Sequence, residues 1–256
     1  MQKCRLFSLA LLSLYCTTYP TTQEEAAPTI VIREPLQIMV EGNIGAGKTT
    51  FLRMLSEALQ DVSFLPEPVE SWQNVNGYNL LQELYTDSNR WAYSFQTYAF
   101  LTHIKNQEHA TDQDAPVALL ERSIYSCYFC FARNFKETNQ LNPLEWELCN
   151  ELFKKHVADA PKPDGFIYLK TSPEICFTRL KMRNRSEEAG VPLEYLEKLS
   201  FNHDDWLIRK NGITPREYKE IPVLVLDRDL DIFDPAVFAE YVHQVKAFIT
   251  DLESCN

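Results

Sequence analysis

A glycine-rich octapeptide restricts the fold of this chain more than any other segment. It runs from Gly42 to Thr49 as GNIGAGKT, matches the pattern G-x-x-x-x-G-K-[ST], and holds three of the seven glycines of the chain. An apolar run ending at Val40 precedes it, and a helical pattern follows it. Glycines let successive backbone N–H groups face one anion, and the N-terminus of the next helix adds partial positive charge. The octapeptide therefore predicts a phosphate-binding loop between a strand and a helix.

Two side chains of this loop are expected to act on a bound nucleotide. In loops of this pattern the amine of Lys48 reaches the β- and γ-phosphates, and the hydroxyl of Thr49 binds Mg²⁺. The predicted cofactors are therefore ATP and Mg²⁺, although the loop predicts nucleotide binding and not the reaction. The chain lacks the Asn-Lys-x-Asp motif with which GTPases read their base. The predicted ATP-binding residues of this segment are Gly42, Asn43, Ile44, Gly45, Ala46, Gly47, Lys48, Thr49 and Thr50.

Short apolar runs alternate with longer helical patterns along the chain. The runs are apolar at consecutive positions, which is typical of strands buried on both faces, and cover residues 37–40, 63–65, 117–120, 166–169 and 223–226. The helical patterns, four of which have a proline near their start, cover residues 49–59, 89–108, 123–137, 143–157, 172–182, 192–210 and 235–252. The alternation predicts an α/β protein of the P-loop NTPase fold: a five-stranded parallel sheet flanked by helices, with extra helices after the second and third strands.

The charge balance argues against a protein that coats nucleic acid. The 256 residues include 25 Lys and Arg and 36 Asp and Glu, a net charge of −11, whereas binding a nucleic-acid backbone needs a basic face. Seven cysteines without a regular framework are typical of free thiols in a reducing compartment. The spacing Cys127-x-x-Cys130 fits a redox or metal site, but no second Cys/His pair matches it. Two cysteines on a partly buried helix are therefore favoured.

The first 34 residues are set apart, as a leader, from the predicted domain, residues 35–256. Lys3 and Arg5 precede an apolar run, residues 6–16, which is shorter than the ~20 apolar residues that span a bilayer. The run fits a secretory signal or, because no acid precedes Glu24, a mitochondrial presequence. A leader that the fold does not need is the third alternative. We expect a mitochondrial or cytoplasmic protein without stable membrane insertion.

Two carboxylates follow predicted strands and are candidate catalytic groups. Glu121 ends the third strand, and the carboxyl end of a parallel strand faces the ligand crevice, where an acid can hold Mg²⁺ or accept a proton. Arg122 beside it is placed to neutralise developing phosphoryl charge. Glu67 follows the second strand between two prolines, whose stiff turn suits a general base. The alternatives are a structural ion pair for Glu121 and Arg122, and a solvated loop acid for Glu67.

A cluster of cations lies just beyond the helix that follows the fourth strand. Arg179, Lys181, Arg183 and Arg185 fall within seven residues of an otherwise acidic chain. Arg179 and Arg183 are one helical turn apart, so their side chains can bind one anion together. The cluster predicts an arginine-rich mobile lid that closes over ATP, with a solvated helix end as the alternative.

These motifs, in this order, resemble those of the deoxynucleoside kinase family, which includes deoxycytidine, deoxyguanosine and mitochondrial thymidine kinases and the broad-specificity insect enzyme. The resemblance covers residues 36–252. The phosphate-binding loop alone is not specific to this family, whereas the whole set of motifs is. Besides that loop, the motifs are residues 67–72 (EPVESW), 95–98 (FQTY), 121–123 (ERS), 183–188 (RNRSEE), 192–196 (PLEYL) and 205–208 (DWLI).

The resemblance implies roles for individual residues. Glu67 matches the carboxylate at the sugar 5′-hydroxyl, and Glu121 matches an acid near Mg²⁺ that is also described as a proton acceptor. Arg122 matches the arginine near the 5′ end, and Gln96 matches the amide that pairs with the nucleobase. The family is dimeric, so a homodimer is expected. The other matches are Tyr85 and Glu188 for the sugar 3′-hydroxyl, Trp72 and Phe131 for the walls of the base slot, Arg179, Arg183 and Arg185 for the lid, and the adenine-flanking segment 229–232 with Asp231.

Three positions depart from the family and bear on the choice of base. The deoxycytidine and purine branch has Asp where this chain has Cys127 and Arg where it has His103, and the thymidine-tolerant branch has Ala and Met. Tyr128 replaces an arginine common to both branches, although residues 221–227 and the final helix resemble the cytidine and purine branch. Cys127 is counted with the substrate-binding residues. We hypothesise that the missing acid relaxes base choice toward pyrimidines, thymidine included.

The sequence therefore predicts a deoxynucleoside 5′-kinase of nucleotide salvage with a broad base preference. Glu67 or Glu121 accepts the hydroxyl proton, and Lys48, Arg122 and the lid arginines stabilise the migrating phosphoryl group of ATP. A nucleoside monophosphate kinase is one alternative, but it would need a second phosphate-binding group near Glu67, where the sequence offers acids. A catalytically silent nucleotide-binding subunit is another, which the intact Lys48, Thr49, Glu67, Glu121 and Arg122 disfavour.

Overall fold

A parallel five-stranded sheet forms the centre of the computed structural model, which describes residues 34–111, 114–211 and 219–255. The order of the strands across the sheet is β2-β3-β1-β4-β5. The predicted five-stranded parallel sheet is confirmed. The predicted leader lies outside the described residues except for Glu34. The strands are β1 (Leu36–Glu41), β2 (Val62–Leu65), β3 (Val117–Glu121), β4 (Gly165–Lys170) and β5 (Val223–Asp227).

The central strands are buried, and the two edge strands are not. All residues of β1 and β3, and all of β4 except Lys170, are buried. The residues of β2 are half-buried throughout, and Leu226 is the one buried residue of β5. Burial on both faces, expected for all five strands, is therefore wrong for β2 and β5, because an outer strand has a neighbour on one side only.

Helices surround the sheet as the alternation predicts. Helices α1 and α4 contact β2 and β3, and α10 contacts β5. Three helices lie between β2 and β3, and three more follow β3 before β4, in agreement with the expected extra helices. The helices are α1 (Lys48–Ala58), α2 (Val69–Gln73), α3 (Leu80–Thr86), α4 (Ser88–Thr111), α5 (Ile124–Ser126), α6 (Arg133–Glu137), α7 (Pro143–Asp159), α8 (Pro173–Arg183), α9 (Leu193–His203) and α10 (Pro235–Cys255).

Two of the predicted helices contain π-helical turns in the structure. The pattern over residues 123–137 is interrupted between α5 and α6 by a π-helix, Cys127–Ala132, and the pattern over 192–210 leaves the α-helical geometry after His203 and continues as a second π-helix, Asp204–Ile208. Pro192 is the N-cap of α9 and not a first-turn residue. Such π-helical turns occur frequently at functional sites.

The strand register brings the predicted site segments to one edge of the sheet. Val40 of β1 pairs with Glu121 of β3, and the backbone N–H of Arg122 donates to the Val40 carbonyl at 3.0 Å. The loop after β1 and the turn after β3 are therefore neighbours at the carboxyl ends of the strands, where ligands bind in open α/β sheets. None of the helices in the described ranges combines the length and apolar composition needed to cross a membrane.

Candidate active site

The loop between β1 and α1 has the geometry of a phosphate-binding loop. Gly45 and Gly47 have φ angles of 82° and 85°, in the left-handed region that favours glycine. A Cβ atom on Gly45 would lie 2.3 Å from the carbonyl oxygen of Cys176, so a side chain there would collide with backbone. The Asn43 side chain fixes the loop by donating to the Leu196 carbonyl and accepting from the Ile44 N–H, both at 2.8 Å.

Lys48 begins α1 and folds back over this loop. Its Nζ donates to the carbonyls of Gly42 at 3.3 Å and Asn43 at 3.0 Å. Burial, together with the positive charge of Arg122, lowers the pKa of Lys48 to about 8. The amine is thus buried at the loop and close to the carboxylates described below, which is where a phosphate chain on this loop would lie.

One cavity of about 570 Å³ gathers most of the predicted site residues. Its size is that of a small-molecule site. Gly42, Asn43 and Ala46 are the predicted residues that belong to the loop without lining the cavity. The predicted residues that line it are Ile44, Gly45, Gly47, Lys48, Thr49, Thr50, Glu67, Trp72, Tyr85, Gln96, Glu121, Arg122, Cys127, Phe131, Arg179, Arg183, Arg185, Glu188 and Asp231.

Glu67 and Arg122 form an ion pair on the wall of this cavity. The Nε of Arg122 lies 2.8 Å from Oε1 of Glu67, and Arg122 has a left-handed φ of 63°. Its guanidinium also lies 4.9 Å from the ring centroid of Phe131. Burial raises the pKa of the Glu67 carboxyl, but the charges of Arg122 and Lys48 outweigh it, so the pKa is lowered overall. Glu67 is therefore held as a carboxylate.

Glu121 contacts Thr49 on the wall of the same cavity. Its two carboxylate oxygens lie 2.9 and 3.0 Å from the hydroxyl oxygen of Thr49. Burial, and the negative charge of Glu67, raise the pKa of Glu121. A hydroxyl and a carboxylate are oxygen ligands of the type that Mg²⁺ prefers. Within the described residues no group of three or more His, Cys, Asp or Glu side chains is arranged to hold a metal ion.

The opposite end of the cavity is an aromatic slot around a buried amide. Gln96 on α4 is 1% exposed, and its Nε2 donates to the carbonyl of Cys127 at 2.9 Å. Trp72 on α2 packs edge-on against Phe95, at 5.3 Å between ring centroids, and donates to Thr102 at 2.9 Å. The slot can therefore hold a flat ring and offers it an amide edge.

The arginine cluster lies at the end of α8 and just beyond it. Arg183 and Arg185 each form an ion pair with Glu188, with nitrogen–oxygen distances of 2.5 and 2.9 Å. Arg179 instead donates to the Ala46 carbonyl of the phosphate-binding loop at 3.5 Å. Tyr85 lies close enough to Glu188 that the negative charge adds to burial in raising the tyrosine pKa. The cluster therefore connects the loop with Tyr85 and Glu188.

Comparison with known proteins identifies the family. The family model described as Deoxynucleoside kinase matches residues 38–250. The chain belongs to the deoxynucleoside kinase family. It is 37% identical to deoxycytidine kinase of Homo sapiens over 240 residues, which cover 84% of this chain and 92% of that protein. It is 39% identical to mitochondrial deoxyguanosine kinase of Xenopus laevis over 243 residues, 84% of this chain and 90% of that protein.

A further relative covers less of the chain. Mitochondrial thymidine kinase 2 of Homo sapiens is 40% identical over 193 residues, which cover 75% of this chain and 70% of that protein. The relatives of this deoxynucleoside kinase family member thus carry names for three different nucleosides. The names alone do not single out one base for this chain.

The positions that depart from the family pattern fall into two groups. Cys127 and His103 line the cavity beside Gln96, whereas Tyr128 does not. Tyr128 donates to Asn150 and stacks on Phe153 at 4.1 Å between ring centroids, so it belongs to the packing. Burial raises the pKa of the Cys127 thiol and lowers that of His103 to about 4, so both side chains are neutral at pH 7.

Sequence reasoning missed two buried charged residues at the carboxyl ends of strands. Glu41 ends β1 and is fully buried, with Oε1 accepting from the Ser123 hydroxyl at 2.5 Å, and burial raises its pKa to about 7. Arg228 follows β5 and lines the cavity. The signal that pointed to Glu121, a charged residue at the carboxyl end of a predicted strand, applies equally to both.

Proposed function

We propose that this chain is a deoxynucleoside kinase that transfers the γ-phosphoryl group of ATP to the 5′-hydroxyl of deoxyribonucleosides, in nucleotide salvage. The observation that carries the proposal is a single cavity that joins the phosphate-binding loop, the Glu67–Arg122 ion pair and the aromatic slot around Gln96. Donor and acceptor would therefore meet at the carboxylates, with the acceptor base in the slot. Family membership and the relatives' names support the same reaction.

Glu67 is proposed as the general base. Its lowered pKa keeps it ionised and able to accept the proton of the 5′-hydroxyl oxygen, and the ion pair with Arg122 fixes its direction. Once protonated, Glu67 no longer neutralises the charge of Arg122, so the guanidinium can stabilise the phosphoryl group during its transfer. Lys48, at the loop, would bind the β- and γ-phosphates.

Glu121 is proposed to act with Thr49 as the metal-binding pair. Their oxygens lie within 3.0 Å of each other at the N-terminus of α1. When bound, Mg²⁺ would neutralise phosphate charge and orient the donor. Burial, and the negative charge of Glu67, raise the pKa of Glu121. A carboxylate that binds Mg²⁺ is not free to accept the hydroxyl proton, so the base role is proposed for Glu67.

The remaining cavity residues are proposed to bind the nucleoside and the donor. Gln96 would pair with the base between Trp72 and Phe131, and Tyr85 and Glu188 would hold the sugar 3′-hydroxyl. The neutral Cys127 and His103 beside Gln96 support a broad base preference that includes thymidine, since no charged group there selects one exocyclic pattern. The proposed donor-binding residues are the loop 42–50, Arg179, Arg183, Arg185 and Asp231.

A homodimer is proposed from an exposed apolar surface on α4 and α7. Leu144, Leu148 and Leu152 follow one another at four-residue spacing on α7, with 68, 42 and 43% of each residue exposed. Leu152 also lines a groove of about 510 Å³, together with Leu101 of α4. A surface of this kind suits a self-complementary contact. Light scattering of Leu148→Glu, with Phe201→Glu as an exposed control on α9, should give a monomer for the first variant alone.

The leader is proposed to be separate from the kinase domain, residues 35–256. The compartment remains mitochondrial or cytoplasmic in this proposal, and two relatives are named as mitochondrial enzymes. Import into isolated mitochondria with loss of the leader would assign the mitochondrial location. A chain that stays outside and uncleaved would assign the cytoplasmic one.

A substrate panel tests the proposed function. The full chain is incubated with MgATP and each of deoxycytidine, deoxyguanosine, deoxyadenosine and thymidine, and ADP release is followed. We expect turnover with deoxycytidine and thymidine. Activity with the two purine nucleosides alone would contradict the proposed base preference, turnover of deoxynucleoside monophosphates in their place would favour the monophosphate kinase, and no ADP with any acceptor would favour the silent subunit.

A further inference from the structure

Arg228 is a buried cation without a carboxylate partner at the donor end of the cavity. It directly follows β5, is 2% exposed and lines the cavity. None of the ion pairs among the residues that the structure describes includes it. Burying an unpaired charge is costly, so the stability of the fold does not explain this residue.

The guanidinium of Arg228 packs directly against the phosphate-binding loop. A Cβ atom on Gly47 would lie 3.1 Å from Nη2 of Arg228. Nη1 donates to the carbonyl of Leu230 at 3.1 Å, and Nε has no hydrogen-bond partner within the described residues. The group also lies 5.6 Å from the ring centroid of Tyr241. The groups in these contacts, a backbone carbonyl and a tyrosine ring, are neutral.

A second cation lies beside it. Arg179 donates through Nη2 to the backbone carbonyl of Arg228 at 2.9 Å and through Nη1 to that of Ala46 at 3.5 Å. Burial lowers the pKa of Arg228, and the charge of Arg179 lowers it further, whereas the hydrogen bond with Tyr241 and the charge of Asp231, which forms no ion pair with it, raise it. Two cations on one side of a phosphate-binding loop repel each other, and an anion bound between them would offset that repulsion.

We infer that Arg228 is a donor-binding residue whose guanidinium contacts the phosphate chain of the nucleoside triphosphate on the loop. The inference rests on the proposed function, which supplies the triphosphate. The fork of N–H groups on an arginine matches phosphate oxygens, and a charge-assisted hydrogen bond of this type is about twice as strong as a neutral one. Arg228 adds a fixed cation after β5 to the arginines of the lid.

The experiment compares Arg228→Met and Arg228→Gln with the wild-type full chain. Arg53→Met, at an exposed position on α1, is the matched control. The thermal midpoint of each protein is measured without ligand and during titration with MgATP, and KM is measured for MgATP and for deoxycytidine.

If Arg228 contacts phosphate, its replacement should weaken MgATP binding without lowering the thermal midpoint of the free protein. Both Arg228 variants should have a midpoint without ligand no lower than that of the wild type, since an unpaired buried charge is removed. Their Kd and KM for MgATP should rise at least ~10-fold, with KM for deoxycytidine unchanged. Arg53→Met should match the wild type throughout.

Two other outcomes would count against the inference. A lower midpoint without ligand, combined with an unchanged Kd for MgATP in the folded Gln variant, would mean that Arg228 serves the packing of the fold and would overturn the inference alone. A wild-type chain that MgATP does not stabilise would contradict the proposed function, and the inference with it.

Discussion

The guanidinium of Arg122 and the carboxylate of Glu67 are held together at 2.8 Å on the wall of the cavity, and the arginine is 3% exposed. The pair joins the turn after β3 to the segment after β2. It also separates the two carboxylates of the site chemically, because the pKa of Glu67 is lowered while that of Glu121 is raised. Opposite shifts of this kind indicate different roles for two neighbouring acids.

Replacement of Glu67 by Gln should remove the general base and keep the contact with Arg122. We expect kcat to fall roughly 10²- to 10⁴-fold with KM for MgATP little changed. Steady-state phosphoryl transfer measures both values. Glu70→Gln, at an exposed position on α2 three residues away, is the control and should keep wild-type kcat. Wild-type turnover in Glu67→Gln would show that the base is another group.

Replacement of Thr49 by Val should weaken metal binding, because it removes the hydroxyl that faces Glu121 at 2.9 Å and keeps the shape of the side chain. The Mg²⁺ concentration for half-maximal activity at fixed ATP should rise about 10-fold, the loss expected for one charge-assisted contact. Ser56→Ala, on the exposed face of α1, should leave this concentration unchanged. An unaltered Mg²⁺ titration for Thr49→Val would refute the metal-binding role.

A Cβ atom at Gly45 should be far more damaging than one at Gly77. Both residues have positive φ, 82° and 93°, but the added atom would meet the Cys176 carbonyl at 2.3 Å in the first case and nothing within 4 Å in the second. Gly77→Ala should cost about 1 kcal/mol of unfolding free energy for the backbone alone. Gly45→Ala should cost about 1–3 kcal/mol more and weaken MgATP binding. Equal urea denaturation curves for the two variants would contradict the tight packing of the loop.

Glu41 should make stability depend on pH. Its pKa is raised from 4.5 to about 7 in the folded protein, so the stabilisation from keeping its proton is complete below pH 4.5 and is lost as pH rises to 7. Glu41→Gln stays neutral, and its unfolding free energy relative to the wild type should therefore increase by about 3 kcal/mol across this window. Urea denaturation at pH 4.5, 6 and 7.5 measures the difference. Glu57→Gln, exposed on α1, should show a constant difference, and a constant difference for Glu41→Gln would disprove the buried proton.

The sequence predicted the elements whose signals are long or chemically distinctive. The loop at Gly42–Thr49 and the five apolar runs were sufficient for the sheet and its helices. Helices α2 and α3 were not predicted, since five and seven residues are too few to show a helical period. The two π-helices were not predicted either, because one extra residue per turn hardly alters an apolar pattern.

The charged residues of the site were predicted unevenly. Glu67 and Glu121 stood out next to prolines and a buried strand, whereas Glu41, directly after the predicted strand 37–40, was not singled out. Arg228 carries the same strand-end signal as Glu121, but its burial and its position beside Gly47 depend on how β5 lies against the loop, which is a tertiary relationship. The sequence also could not predict that Arg183 and Arg185 form ion pairs with Glu188.

The most direct test of the account follows the phosphoryl group itself. The wild-type chain is incubated with ATP labelled in the γ-phosphate, Mg²⁺ and deoxycytidine, and the product is identified by chromatography and by phosphorus NMR. The account predicts that the label appears on the 5′-oxygen of deoxycytidine monophosphate, with one ADP formed for each product. Label released only as inorganic phosphate, or no consumption of ATP with any deoxynucleoside, would contradict it.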